Sequence, residues 1–351
     1  MKLNKKTSPK ISLWEILRRA GIKKILKISI IVFLFLILVI FYFFFVGKAP
    51  QQDNIKWGVN FSQKHSQQLG LDWRENYLAL LDDLGVKNIK ISTHWDIIEQ
   101  EQEKYSFDDL DWQIDTAEKY QAKIFLVIGL KTLRWPECHI PEWAKNISKE
   151  EREEEVLELI EKIVSRYKDK DIIWAWQVEN EPFFPFGECP ETDENLLKKE
   201  IELVKSINPE KPVIITDTGE LSLWFKVAEL GDIVGITTYK KVYSPEFKSY
   251  IPLPYPAFFY WRRAQIIERF FNKQVLGVEL QTEPWCPSLL YDCSIEEQKK
   301  TMDLKQFKKN VDFAKRMGLN EFYLWGSEWW YWLKVKQNDS EIWNEAKKLF
   351  D

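Results

Sequence analysis

The chain has 351 residues, 45% hydrophobic and 30% charged, with a formal net charge of −4. That balance suits one large globular domain or two small ones. Residues 1–48 hold 10 basic and 1 acidic side chains, leaving 40 basic against 53 acidic in the remainder. An acidic body without a basic stripe excludes nucleic acid or anionic lipid as partners recognised through a general positive field.

Chain order begins with "ISIIVFLFLILVIFYFFFV", residues 28–46, which carries no charge. Nineteen apolar residues suffice to cross a hydrocarbon core of about 30 Å as a helix. Lys2, Lys5, Lys6, Lys10, Arg18, Arg19, Lys23, Lys24 and Lys27 precede it against the single acid Glu15. The positive-inside rule then predicts a basic cytoplasmic segment (1–27), a membrane anchor (28–46), a linker (47–54) and an extracytoplasmic domain (55–351). A cleaved signal peptide is the competing reading. Its apolar region is usually about 7–15 residues long and ends at an A-x-A-like site, which "VGKAPQQDN" does not offer.

From residue 55 onward, short β-branched runs alternate with amphipathic stretches. Strands are predicted at 55–61, 86–93, 122–130, 171–178, 211–217, 232–239, 273–280 and 321–327. Helices are predicted at 72–84, 107–120, 149–167, 192–206, 221–229, 257–271, 296–317 and 339–350. The third of these opens with Ser148 and acids and closes with bases, in accord with the helix dipole. Eight continuously apolar strands alternating with helices imply a parallel sheet covered on both faces, and eight units imply a closed (β/α)8 TIM barrel. An open doubly wound sheet is the alternative, but no G-x-G-x-x-G or Walker loop follows the first strand.

Functional groups of such a barrel sit where strands end. The strand ends here offer Asn60, then His94 and Trp95, then Lys131, Arg134 and Trp135. Asn180 and Glu181 end the fourth strand, followed by Asp217 and Glu220, Tyr239, Glu279, and finally Trp325 and Glu328. Glu181 and Glu279 each end an apolar run, and paired carboxyls at one mouth suit glycoside hydrolysis. Seventeen tryptophans against three methionines fit a cleft with flat apolar walls. Trp95, Trp135, Trp174, Trp176, Trp285, Trp325 and Trp329 are the candidates, with Trp174 and Trp176 read as packing. Such a cleft would desolvate the acid and raise its pKa.

The four cysteines, Cys138, Cys189, Cys286 and Cys293, permit three pairings. Closeness in sequence favours Cys286–Cys293, which leaves Cys138–Cys189. Zinc is disfavoured by the lack of a C-x-x-C pair and by the presence of only three histidines. No metal or other cofactor is implied.

"WQVENEP" resembles the Asn-Glu-Pro signature of the clan A glycoside hydrolases, which are retaining (β/α)8 enzymes. The resemblance spans roughly 55–350. It continues through "IKISTHWDIIEQEQEKYSFDDLDWQIDTAEKYQAKIFLVIGL", the sixth-strand Tyr of "DIVGITTY", the nucleophile position of "GVELQ" and the Trp of "LWGSEWW". It implies Glu181 as acid/base, Glu279 as nucleophile tuned by the Tyr239 hydroxyl, and Asn180 at the sugar 2-hydroxyl. Trp325 is implied to floor the reacting subsite, with His94, Trp95 and Glu328 contacting sugar. Two departures stand out. Many members carry an arginine in strand two, where this chain has Lys90, which supplies charge without the planar fork. A second acid, Glu283, follows Glu279 by four residues and reads as a rim residue that positions substrate. The implied activity is hydrolysis of a β-linked oligo- or polysaccharide by double displacement. The alternatives are a silent glycan-binding barrel and a transglycosylase of cell-surface glycan. Oligomeric state is open.

Overall fold

The computed structural model describes residues 13–190 and 193–350. Backbone contacts divide the chain after Gly47. The first unit is one unbroken helix, Leu13–Phe45. Its apolar part, Ile22–Phe45, has a mean hydropathy of 3.2 and is long enough to cross a membrane. The helix begins well before the apolar run itself, so Lys23, Lys24 and Lys27 share it. The basic positions Lys2, Lys5, Lys6 and Lys10 lie outside the described residues.

The second unit, Lys48–Asp351, contains ten strands: β1 (Lys56–Phe61), β2 (Asn88–Ser92), β3 (Lys123–Ile128), β4 (Ile173–Val178), β5 (Val213–Asp217), β6 (Ile233–Thr238), β7 (Lys241–Ser244), β8 (Ser249–Pro252), β9 (Gln274–Gln281) and β10 (Glu321–Trp325). Eight of them close a barrel in the order β1-β10-β9-β6-β5-β4-β3-β2, and every pair in it is parallel. The (β/α)8 reading therefore holds. The added antiparallel hairpin β7–β8 follows β6. Its short, half-buried strands lack the apolar run on which strand recognition depends.

Helix ends follow local chemistry. Ser148 and Glu151 form a reciprocal capping box at the start of Lys149–Tyr167. The expected helix 296–317 is instead two helices, Ile295–Gln298 and Leu304–Lys315. The Asp303 carboxylate caps the second by accepting from Gln306 N at 2.7 Å. Helix Ser327–Lys336, which starts directly after β10, was not expected from the sequence; its tryptophan-rich run reads as strand or loop.

Two apolar layers hold the barrel. The outer one lies between strands and helices, and the inner one gathers Phe125, Val127, Ala175, Ile214, Leu276, Val278, Tyr323 and Trp325. Gly277 lets the Phe322 ring lie against its strand; a Cβ there would meet that ring at 2.2 Å.

The strands that carry both candidate acids are irregular. In β9, Ile236 pairs with Gly277 and Thr237 with Glu279, so Val278 is an extra residue. Leu276 and Val278 both face the interior while Leu280 joins the outer layer. The bulge thereby turns Glu279 inward, where strict alternation after Val278 would turn it outward. Strand β4 has a similar shift, between Ile173 and Ala175.

Candidate active site

Glu279 is 3% exposed. Lys90 Nζ donates to its Oε1 at 2.9 Å, and Tyr239 OH donates to its Oε2 at 2.9 Å. Lys90 comes from the middle of β2 and is wholly buried. Burial lowers its pKa against the opposing pull of Glu279. The departure from arginine thus leaves a single point charge on the carboxyl.

Glu181 stands beyond the end of β4, at φ 43°, and is 7% exposed. Its carboxyl accepts from the Thr237 hydroxyl at 2.8 Å, and its backbone N–H donates to the Thr216 hydroxyl at 2.8 Å. The bonds between its carboxyl and other side chains include no cation. Burial raises its pKa well above the ordinary value, and the charges of Glu279 and Glu137 add to the shift. The mouth thus holds one carboxyl whose proton is held more tightly than usual and one gripped by an ammonium and a phenol.

Asn180, 2% exposed, accepts from the Gln177 amide at 3.2 Å through Oδ1, and its N–H donates to Lys131 O at 2.7 Å. Trp325 is 9% exposed, and the Arg134 guanidinium lies 3.8 Å from its ring centroid. Arg134 donates to Glu283 and, at 2.9 Å, to Glu328. Burial pushes the Glu283 carboxyl up, but Arg134 and His65 outweigh it and hold its pKa down at about 2. Glu283 therefore belongs to a charge cluster with Arg134 and lacks the Lys90 and Tyr239 contacts that mark Glu279.

Three of the expected cleft residues are held by neighbouring side chains. Trp95 is 1% exposed, donates to Glu99 at 2.7 Å and packs edge-on against Trp143, so its indole is core. Glu328 is fully buried; it accepts from Ser62 N at 2.7 Å and from Arg134, and so joins the cluster. Trp329 donates to Gln298 at 2.8 Å and is buried in helix Ser327–Lys336. His94 is buried against His139, with ring centroids 4.4 Å apart. Trp176 is outer-layer packing bonded to Asn208, and Trp174 packs on Phe125. Above the pair, Tyr239, Trp285, Phe186 and Trp135 form a chain of ring contacts with centroids 5.2, 5.8 and 6.0 Å apart.

Sequence reasoning missed Thr237, Glu137 and Glu179. Glu137 is buried, with Lys131 3.4 Å away. Burial raises its pKa to about 8, and Glu279 adds to the rise. Its neighbours Pro136 and Cys138 make it read as loop. Disulfides join Cys138 to Cys189 and Cys286 to Cys293, tying the loops after β3, β4 and β9.

The family model for glycosyl hydrolase family 10 matches residues 48–199. Over that stretch the chain is similar to this family. No curated protein sequence matches it. Among solved structures, a family 10 endoxylanase from a sugarcane soil metagenome is 16% identical with a TM-score of 0.51, over 78% of this chain and 86% of that one. A family 5 subfamily 18 variant from Bifidobacterium longum subsp. longum, in complex with Manβ1-4GlcNAc, is 11% identical with a TM-score of 0.55, over 77% and 68%. A β-galactosidase from the Antarctic haloarchaeon Halorubrum lacusprofundi is 14% identical with a TM-score of 0.52. There the match covers 77% of this chain and about half (52%) of the other. These likenesses show a shared barrel. Within it, the chain places Glu181 and Glu279 with two strands between them, β5 carrying Thr216 and β6 carrying Thr237.

Proposed function

We propose that the protein is a membrane-anchored retaining β-glycosidase. The observation that carries the reading is the unequal setting of the two carboxyls. Glu279 attacks the anomeric carbon as the carboxylate, forming an ester to the sugar while the glycosidic C–O bond breaks. Glu181 gives its proton to the departing oxygen, then as a carboxylate takes a proton from the water that hydrolyses the ester. Asn180 meets the 2-hydroxyl and Trp325 the ring of the reacting sugar. Arg134 and Glu283 set the rim, and His94 lies behind it. The similar structures, an endoxylanase, a β-galactosidase and a barrel in complex with Manβ1-4GlcNAc, make β-xylosides, β-galactosides and β-mannosides the first substrates to screen.

Azide rescue tests the assignment. Glu279→Ala with azide gives a glycosyl azide of inverted configuration, because the anion attacks the open face directly. Glu181→Ala with azide gives the retained product, because azide opens the ester. Retention at Glu279→Ala, or loss of the covalent step in Glu283→Ala instead, overturns the roles. A crystal structure is expected to place the two carboxyls about 5–5.5 Å apart.

The anchor is read as residues 28–46, the linker as 47–54 and the catalytic domain as 55–351, with the N-terminus cytoplasmic and the barrel outside. The uncharged run 28–46 and its basic flank support this. Protease added to intact cells should remove the barrel. A protected C-terminus, or a soluble form cut near Ala49, overturns the topology.

A further inference from the structure

Two residues before Glu181 stands a third carboxyl, which the double displacement does not use. Glu179 ends β4 in a left-handed backbone conformation, φ 59°, and turns towards the loop after β3. Its Oε1 accepts from Leu130 N at 2.6 Å and its Oε2 from Lys131 N at 2.7 Å. The loop after β3 answers in kind. Lys131 O accepts from Asn180 N at 2.7 Å, and Lys131 Nζ donates to Glu181 O at 3.2 Å and to Phe184 O at 2.8 Å. Gly129, at φ 116°, makes room for the carboxyl; a Cβ there would lie 2.1 Å from Glu179 Oε1.

Behind Glu179 stands Glu200, from helix Glu194–Ile207, only 1% exposed. The two carboxyls share a hydrogen bond in which Glu200 is the donor, and the other Glu200 oxygen, Oε1, has no hydrogen-bond partner. We propose that Glu179, backed by the buried carboxyl of Glu200, is the positioning residue that clamps the Glu181 loop to the loop after β3. The proposal rests on Glu181 as acid/base.

Burial sets the protonation of both groups. It raises Glu179 to about 7, against the N–H bonds from Lys131 and Leu130, the bond from Glu200 and the Lys131 charge. It raises Glu200 well above the ordinary range, helped by Glu179 and by Glu153 on helix Lys149–Tyr167. Lys131, Glu153 and the carboxyls themselves are thus the charges facing the pair. Losing the Glu200 proton sets two carboxylates against each other and removes a donor from Glu179. The clamp is therefore whole while Glu179 is ionised and Glu200 keeps its proton, and it loosens as pH rises through the folded-state pKa of Glu200.

The test uses the full-length chain in detergent, with phenyl and dinitrophenyl β-glycosides of the sugar found by screening. Glu179→Gln offers one carbonyl to two N–H donors. It should slow the phenyl glycoside roughly tenfold or more at little-changed KM, and the dinitrophenyl glycoside, which needs no proton, about twofold or less. Glu200→Gln keeps a donor that does not titrate, so it should retain activity and carry it to higher pH. It should also flatten the fall in Tm that the wild type shows as pH rises from about 5, where raised carboxyls lose their stabilising proton. Equal slowing on both glycosides by Glu179→Gln, or an unchanged alkaline limb and Tm slope in Glu200→Gln, overturns the clamp. If Glu181→Ala still cleaves the phenyl glycoside, the acid/base reading fails instead, and the Tm comparison still decides whether the pair shares a proton.

Discussion

The end of β9 and the loop after β4 each deliver a carboxyl to the same mouth, by different means. Glu279 is part of the strand ladder, paired with Thr237 across the bulge, and meets an ammonium and a phenol. Glu181 has left the ladder, stands in a left-handed conformation and meets one hydroxyl. Both are nearly buried, so burial alone does not separate them. The difference lies in what desolvation is weighed against. Beside Lys90 a buried carboxylate has a counter-charge, whereas at Glu181 the nearest strong charges are the negative Glu279 and Glu137. One fold thus gives two identical side chains unequal electrostatic settings.

The comparison can be broken most forcefully at Glu279. Glu279→Ala should lower kcat by about four to six orders of magnitude on every substrate, because no other carboxylate replaces the covalent step. Glu181→Ala should cost about 10²–10⁴-fold on substrates with poor leaving groups and little on activated ones. Steady-state rates on a leaving-group series measure both, and equal sensitivity in the two variants would erase the distinction.

Smaller changes sharpen it. Tyr239→Phe removes one hydrogen bond to a charged group, of about 1.5–3 kcal/mol, so kcat should fall roughly tenfold to a hundredfold. The pH profile of kcat/KM should show activity lost on the alkaline side as Glu181 and, behind it, Glu200 give up their protons. Thr237→Val removes the hydroxyl that favours the ionised form of Glu181, so the alkaline limb should move to higher pH. A limb that stays put, or moves down, assigns it to another group.

Much of this was legible in the residues. The alternation of apolar runs and amphipathic stretches determined eight strands and most helices, because a parallel barrel buries both strand faces and leaves helices one polar side. The Asn-Glu-Pro sequence and the acid of "GVELQ" marked the two strand ends, since strand ends are where a buried wall meets solvent. Closeness in sequence pointed to Cys286–Cys293, and the remaining pair followed. Hairpin β7–β8 was not visible, for its strands are short and only half buried, and the break before Asp303 was hidden within a continuous amphipathic pattern.

Tertiary structure alone decided what faces what. Trp95, Trp329 and Glu328 sit near strand ends in the sequence, but neighbouring elements absorb them into packing and ion pairs. Glu283 is as acidic as Glu279 on paper, and only Arg134, brought from the loop after β3, commits it to a different cluster. The clamp from Glu179 to the loop after β3 joins positions about fifty residues apart, beyond any local pattern. The sequence by itself determined that a carboxyl would end the seventh barrel strand. The extra residue at Val278, which no periodicity announces, determined that it would point inward, because one added residue reverses the alternation of every side chain that follows.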